Sequence, residues 1–195
     1  MRHHRHFVPL VTLFVAGMLG GCAHEAAVDK SLSPLQAAAS VDLSRYMGSW
    51  YVIGNIPQGD ERGNMQMSDD YKLRPDGKID ITYHYRKGFN QPLKTSHGVA
   101  SLVDPTNPAR WKMRSLWPEH ADYEILAVAP DYSTALVGLS SRKLLWILAR
   151  NPQLPEADYQ RLLQQAAAQG YPVKDVFKMP QRPQDDGAPG FQSDF

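Results

Sequence analysis

The chain of 195 residues is short of the groups from which several classes of protein are built. It has one cysteine, which excludes a fold held by disulfides and a four-cysteine metal site. Its formal net charge is only +1, so no overall electrostatic field directs it to nucleic acid. No apolar run reaches the roughly 20 residues that a transmembrane helix needs. With 43% hydrophobic residues, the chain is nevertheless apolar enough to form the core of a folded domain.

The first 21 residues have the order of a secretory signal peptide. Residues 1–6 carry two arginines, and residues 7–19 are apolar apart from Thr12. The end of this segment, Leu19-Gly20-Gly21-Cys22, resembles the lipobox of bacterial lipoproteins, in which the cysteine is acylated and becomes the first residue. The resemblance implies a lipid anchor at Cys22, and the absence of an aspartate after it implies sorting to the outer membrane. The alternatives are a buried N-terminal helix and an ordinary Cys22 thiol.

Removal of residues 1–21 takes away two of the 21 basic residues and none of the 20 acidic ones, which leaves a mature chain of net charge −1. Membrane attachment would then depend on acyl chains without a polybasic patch. Residues 22–41 are predicted to be the lipidated cysteine and a flexible tether. Residues 181–195, rich in Pro, Gln, Asp and Gly, are predicted to be a disordered tail. The folded domain is therefore expected over residues 42–180.

Between these segments the hydrophobic pattern alternates with the period of β-strands. In residues 78–86, for example, Ile79, Ile81, Tyr83 and Tyr85 alternate with polar residues. Eight such segments are separated by turn signals: 49–56, 65–73, 78–86, 94–103, 110–116, 122–129, 134–139 and 144–150. An amphipathic helix follows at 155–169. The pattern predicts an all-β fold, an eight-stranded antiparallel up-and-down barrel with one C-terminal α-helix packed outside, and leaves a sandwich as the alternative.

Three motifs in this pattern resemble those of the lipocalins, and in particular those of the group of bacterial outer-membrane lipoproteins and apolipoprotein D. Gly48-Ser49-Trp50 is similar to the first motif, Pro130-Asp131-Tyr132 to the second, and Trp146-Ile147-Leu148-Ala149-Arg150 to the third. The likeness covers roughly residues 41–181. It implies that Gly48, Trp50, Asp131, Tyr132 and Arg150 have structural roles, with Trp50 closing one end of the barrel. Arg150 would lie over the Trp50 indole, a contact worth about 0.5–2 kcal/mol.

An eight-stranded barrel encloses either one small ligand or a filling of side chains. The strands favour a mostly apolar pocket, and the candidate ligand contacts are Tyr51, Tyr83, Tyr85, Trp111, Met113 and Tyr123. Alternation without a register does not say which of them face inward, so a filled core is the alternative. The lipocalin resemblance implies storage or transport of a fatty acid, phospholipid or lysophospholipid at the periplasmic face of the outer membrane. The sequence leaves the oligomeric state open, with a homodimer as one alternative.

Little in the sequence favours catalysis, a metal or another cofactor. Four histidines remain in the mature chain without the spacing of metal ligands: His24, His84, His97 and His120. No nucleophile elbow is present, and the adjacent Asp69 and Asp70 are predicted to be solvated strand positions. We therefore expect a binding protein with no catalytic residue, metal or cofactor. The alternatives are a lipid-modifying enzyme that uses His84, His97 or a tyrosine, and a purely structural lipoprotein.

Overall fold

Alternating side chains produce eight consecutive strands in the computed structural model, which describes residues 33–57, 59–114 and 122–192. The strands are β1 (Gly48–Asn55), β2 (Met65–Leu73), β3 (Ile79–Arg86), β4 (Lys94–Leu102), β5 (Arg110–Arg114), β6 (Asp122–Val128), β7 (Thr134–Gly138) and β8 (Leu145–Ala149). A four-residue helix, α1 (Leu43–Tyr46), precedes β1. A longer helix, α2 (Glu156–Ala168), follows β8 and leads to a short strand, β9 (Phe177–Lys178).

Each of the eight strands pairs antiparallel with its neighbours in the sequence, and the eighth pairs with the first. β1 pairs with β8 through Tyr51 and Ala149, and with β2 through Gly48 and Tyr71. Because β1 has a partner on both edges, the sheet closes into a barrel and the sandwich alternative is excluded. The predicted fold class is confirmed, and the predicted strand boundaries lie within two residues of those in the structure.

The barrel wall carries one apolar core on its inside and another on its outside. The inner core includes Trp50, Ile79 and Trp111, all fully buried. The outer core forms where α2 packs on the wall: Tyr159, Leu162 and Ala166 share one face of the helix, because they are spaced three and four residues apart. These helical side chains cluster with wall residues that face outward, among them Ile53, Leu145 and Ile147.

The connections between strands define two ends of the barrel. The helix α1 lies at the start of β1, on the same end as the β2–β3, β4–β5 and β6–β7 connections, and this is called the closed end. The β1–β2, β3–β4 and β7–β8 connections lie at the opposite end, called the open end.

Residues 33–41, named the strap, run along the outer wall. At the open end the Arg142 guanidinium donates to the carbonyl of Ser33, and farther along the amide of Ala38 donates to the carbonyl of Ile125 at 2.8 Å. Leu35 is 4% exposed and belongs to the outer core. The predicted tether over residues 22–41 is therefore wrong for the strap, because hydrogen bonds and Leu35 hold it on the wall. The rest of that segment lies outside the described residues.

The C-terminal segment is ordered through residue 192, which corrects the prediction of a disordered tail. β1 and β2 pair only as far as Tyr51 and Ser68, and nearer the open end β9 pairs with β1 instead. The Gln181 side-chain amide bridges the two strands there, donating to the carbonyls of Val52 at 2.8 Å and Met67 at 3.0 Å. These bonds satisfy backbone groups that would otherwise lack a partner, which fixes a segment of polar composition.

No helix within the described ranges is long and apolar enough to cross a membrane. The predicted signal peptide, Cys22 and the last three residues of the chain lie outside the described residues.

Candidate ligand-binding site

The closed end is plugged by Trp50, whose side chain is fully buried. The guanidinium carbon of Arg150 lies 3.7 Å from the centre of the Trp50 ring, and the same group donates to the carbonyls of Ser49 at 2.7 Å and Met47 at 2.9 Å. Gly48 has a φ of 93°, which residues with a side chain rarely adopt. The structure thus places Trp50 and Arg150 where they close the barrel.

The β6–β7 turn reinforces the same end. The Asp131 carboxylate accepts a hydrogen bond from the amide of Ser133 at 3.0 Å, and the Tyr132 hydroxyl accepts one from the amide of Asp42 at 2.7 Å. The Arg45 guanidinium lies 4.1 Å from the centre of the Tyr132 ring. All five motif residues therefore lie at the closed end, where Trp50, Tyr132 and Arg150 bond to α1 or to the residues that cap it.

Aromatic rings fill the half of the interior next to α1. Trp111 and Tyr123 stack with their ring centres 4.9 Å apart, and Tyr46 meets Trp111 edge-on at 5.6 Å. Trp111 is fully buried and Tyr123 is 6% exposed, so these two candidate ligand contacts act as packing residues in the structure. The aromatic cluster consists of Tyr46, Trp50, Tyr71, Trp111 and Tyr123.

A carboxyl group lies against this cluster. Asp69 is 8% exposed, and its Oδ2 accepts a hydrogen bond from the Tyr71 hydroxyl at 2.9 Å. The hydroxyl oxygens of Tyr71 and Tyr123 are 2.8 Å apart, and those of Tyr123 and Tyr46 are 3.2 Å apart. The prediction that Asp69 and Asp70 are both solvated is wrong for Asp69, because alternate residues of β2 face inward and Asp69 shares the face of Tyr71.

Burial governs the protonation of this network. It raises the pKa of Asp69 to about 7, since a charged carboxylate loses its hydration in the interior. Burial also raises the pKa of Tyr46, Tyr71 and Tyr123 above the ordinary value, so these hydroxyls stay neutral and keep their protons for hydrogen bonding.

Partly exposed apolar side chains line the half of the interior toward the open end. Tyr83 and Tyr85 lie on β3 with ring centres 5.8 Å apart, and the Tyr83 hydroxyl is 3.4 Å from the Met67 sulfur. Met113 and Trp146 also pack against the inner core and are partly exposed. The structure therefore brings together three candidate contacts, Tyr83, Tyr85 and Met113, and adds Trp146, which was not among the candidates.

Tyr51 lies on the other side of the wall. Trp50 faces inward, so the next side chain faces outward and packs with the outer core, and the prediction that Tyr51 contacts a ligand in the interior is wrong. His84 and His97, the candidates for an enzymatic role, also lie on the outer face. His84 Nε2 is 2.9 Å from Asp70 Oδ2, and His97 Nδ1 is 3.3 Å from the Thr82 hydroxyl.

In the part of the chain that the structure describes, no group of three or more His, Cys, Asp or Glu residues could hold a metal ion. His24 and His120 lie outside that part.

The interior combines the partly exposed apolar lining of the open half with the buried Asp69 carboxyl group. This arrangement is suited to enclosing a small hydrophobic molecule.

Comparison with known proteins agrees with this geometry. The family model described as "Lipocalin-like domain" matches residues 41–181. The outer membrane lipoprotein Blc of Escherichia coli (strain K12) is 31% identical over 135 residues, which cover 68% of this chain and 75% of that protein. Apolipoprotein D of Bos taurus is 30% identical over 152 residues, which cover 70% of each chain. The matched region contains the whole barrel.

A solved structure shares the same fold. The crystal structure of the allergen Per a 4 from cockroaches superposes with a TM-score of 0.60 and covers 77% of this chain and 95% of that one. The two sequences are 18% identical, so this likeness shows the fold alone.

Proposed function

The chain belongs to the lipocalin family, and from that premise we propose that it stores or transports a fatty acid, phospholipid or lysophospholipid in its barrel while anchored to the outer membrane through an acylated Cys22. The observation that carries this proposal is the division of the interior. Aromatic rings fill the closed half, whereas the apolar side chains of the open half are partly exposed. Burial of acyl surface there would supply affinity at about 25 cal/mol per Å², less the cost of ordering the ligand.

The position of the strap supports an anchor on the side of the open end. Ser33 lies at the open end, and Cys22 is eleven residues earlier, a stretch of chain that spans at most about 40 Å. An acylated Cys22 would therefore tether the barrel to the periplasmic face of the membrane through a segment that leaves from the open end. Arg62 on the β1–β2 connection and Lys94 at the start of β4 are exposed at this end and would complement anionic headgroups. The Escherichia coli relative is itself an outer membrane lipoprotein.

Ligand binding is tested with the full chain carrying Cys22→Ser, purified without detergent. Extraction with organic solvent and mass spectrometry should recover fatty acid or phospholipid, and the emptied protein should take up a fluorescent fatty acid. Ser96 faces the interior opposite Tyr83, whereas Thr95 faces outward opposite His84. Ser96→Trp should therefore reduce uptake at least tenfold, and the matched control Thr95→Trp should leave it unchanged.

The proposal fails if the emptied protein takes up no fatty acid, or if Ser96→Trp binds as well as Thr95→Trp. The anchor is tested separately by cell fractionation. The original chain should be found with the outer membrane and Cys22→Ser in the soluble periplasmic fraction, and a variant that stays with the membrane would contradict acylation at this cysteine.

A further inference from the structure

The hydrogen bonds around Asp69 run in one direction. The Tyr71 hydroxyl donates its one hydrogen bond to Asp69 Oδ2. Tyr123 must then donate to Tyr71, and Tyr46 to Tyr123, because each hydroxyl has one proton. The chain of donors thus ends on the carboxyl group, and Asp69 Oδ1 is buried without a hydrogen-bond partner among the described residues.

Asp69 Oδ1 lies where a group that enters the barrel could donate a hydrogen bond to it. A buried acceptor without a hydrogen bond destabilises the folded state, so such atoms are rare unless water or a ligand satisfies them. Trp50 and Tyr83 lie opposite Asp69 on the two neighbouring strands. The Tyr83 hydroxyl extends toward Met67 and Glu61, which leaves Oδ1 without a bond from either neighbouring strand.

The surroundings of Asp69 select against an anion. The groups that face it are the hydroxyls of Tyr46, Tyr71 and Tyr123, with Tyr83 and the Glu61 carboxylate toward the open end. The Asp70 carboxylate, on the outer face of β2, adds to the negative charge that acts on Asp69, and the Arg150 guanidinium lies over Trp50 at the closed end. A ligand carboxylate at this depth would therefore meet a second acid. A hydroxyl group fits both forms of the carboxyl, since it donates to the carboxylate and accepts from the acid.

We propose that Asp69 recognises a hydroxyl group at the buried end of an amphiphile whose other polar group stays at the open end. This inference rests on the proposed function, because it requires a ligand in the interior. Burial raises the pKa of Asp69 to about 7, so both forms of the carboxyl are available near neutral pH. The pairing of Asp69 with Tyr83 puts it three residues from the end of β3, or about 10 Å below the rim.

The test compares decanoate with 10-hydroxydecanoate, which differ only in a hydroxyl at the end remote from the carboxylate. Ten carbons suit the depth of Asp69. Isothermal titration calorimetry on the full chain with Cys22→Ser should give about tenfold tighter binding of the hydroxylated acid. An entirely apolar site would show the opposite order, because the added hydroxyl makes the chain more soluble in water.

Variants at Asp69 separate recognition from packing. Asp69→Leu should reverse the preference so that decanoate binds more tightly, whereas Asp69→Asn, which keeps an acceptor oxygen, should retain part of the preference for the hydroxylated acid. Asp70→Asn is the matched control and should behave as the original chain, because Asp70 faces outward against His84. Circular dichroism verifies that each variant folds. If Asp69→Leu does not fold, the test rests on Asp69→Asn, in which the preference for the hydroxylated acid should be reduced.

The possible failures are distinct. If neither acid binds to the original chain, the proposed function itself fails. If both acids bind but decanoate binds as tightly as its hydroxylated form, or if the preference survives in Asp69→Leu, the role of Asp69 is refuted while lipid binding stands.

Discussion

Replacing Asp69 by Asn should change how the stability of the barrel depends on pH. Burial raises the pKa of this carboxyl from the ordinary 3.8 to about 7. Between these values the group is protonated in the folded chain and ionised in the unfolded chain, so the folded state binds one more proton. The contribution of Asp69 to the free energy of unfolding should then fall as the pH rises, by about 1.4 kcal/mol per pH unit and by about 4 kcal/mol over the whole interval. Above pH 7 both states are ionised and no further loss is expected.

The difference between the two proteins isolates this effect. Asn does not titrate, so the free energy of unfolding of Asp69→Asn minus that of the original chain should grow from pH 4 to pH 7 and level off above it. Carboxyls with a lowered pKa, such as Asp42 and Asp131, lose their stabilising effect only below about pH 4 and cancel in the subtraction. Tyr46, Tyr71 and Tyr123 stay neutral throughout, since burial raises the pKa of each.

The assay is urea unfolding followed by tryptophan fluorescence at pH 4.5, 5.5, 6.5, 7.5 and 8.5. Asp70→Asn serves as the control, because its exposed side chain lies on the same strand and faces the other way. A difference that stays flat between pH 4.5 and 7.5, or that grows in the opposite direction, would refute the assignment of a buried, desolvated carboxyl to Asp69.

Three further substitutions test the frame of the barrel by the same unfolding measurement. Gly138→Ala should cost about 1–3 kcal/mol, because its Cβ would lie 2.0 Å from the Tyr171 hydroxyl oxygen. Gly88→Ala, where the nearest atom is 3.3 Å away on a flexible side chain, should be close to neutral. Gln181→Ala should cost about 2 kcal/mol through the loss of two buried hydrogen bonds. Arg150→Lys should cost about 1–3 kcal/mol, because an ammonium group cannot both cover the Trp50 ring and reach several carbonyls. Unchanged stability in Gly138→Ala, Gln181→Ala or Arg150→Lys would contradict the contact concerned.

The positions of the strands could be predicted because β-sheet burial is periodic. In β3 the alternation of Ile79 and Ile81 with polar residues is the same in the sequence and in the structure. The roles of Trp50 and Arg150 were instead implied by the resemblance to the lipocalin motifs, and the structure places the two groups in contact. The outward direction of Tyr51 also follows from the inward direction of Trp50, because adjacent residues of a strand face opposite sides of the sheet.

The residues that sequence reasoning missed are polar groups in places where polar groups are rare. Carboxylates are seldom buried without a partner, so composition favours a solvated Asp69, and only the register of β2 corrects this. The alternation of Met67, Asp69 and Tyr71 is the signal that could have found it. Gln181 was missed for a related reason. Its side-chain amide is buried and donates to carbonyls of the strands, but composition alone does not distinguish such a residue from one in a disordered tail.

Gln181 and Asp69 link the wall of the barrel to its interior. Gln181 bridges β1 and β2 where their pairing ends, and one of the carbonyls it binds belongs to Met67, two residues before Asp69 on the same strand. The segment that seals the wall therefore also fixes the strand that carries the buried carboxyl. Because α1 and the aromatic cluster hold Asp69 from the closed end through Tyr71, the carboxyl lies at the boundary between the filled half and the accessible half. A ligand of the kind proposed above would therefore meet this carboxyl where the apolar lining ends.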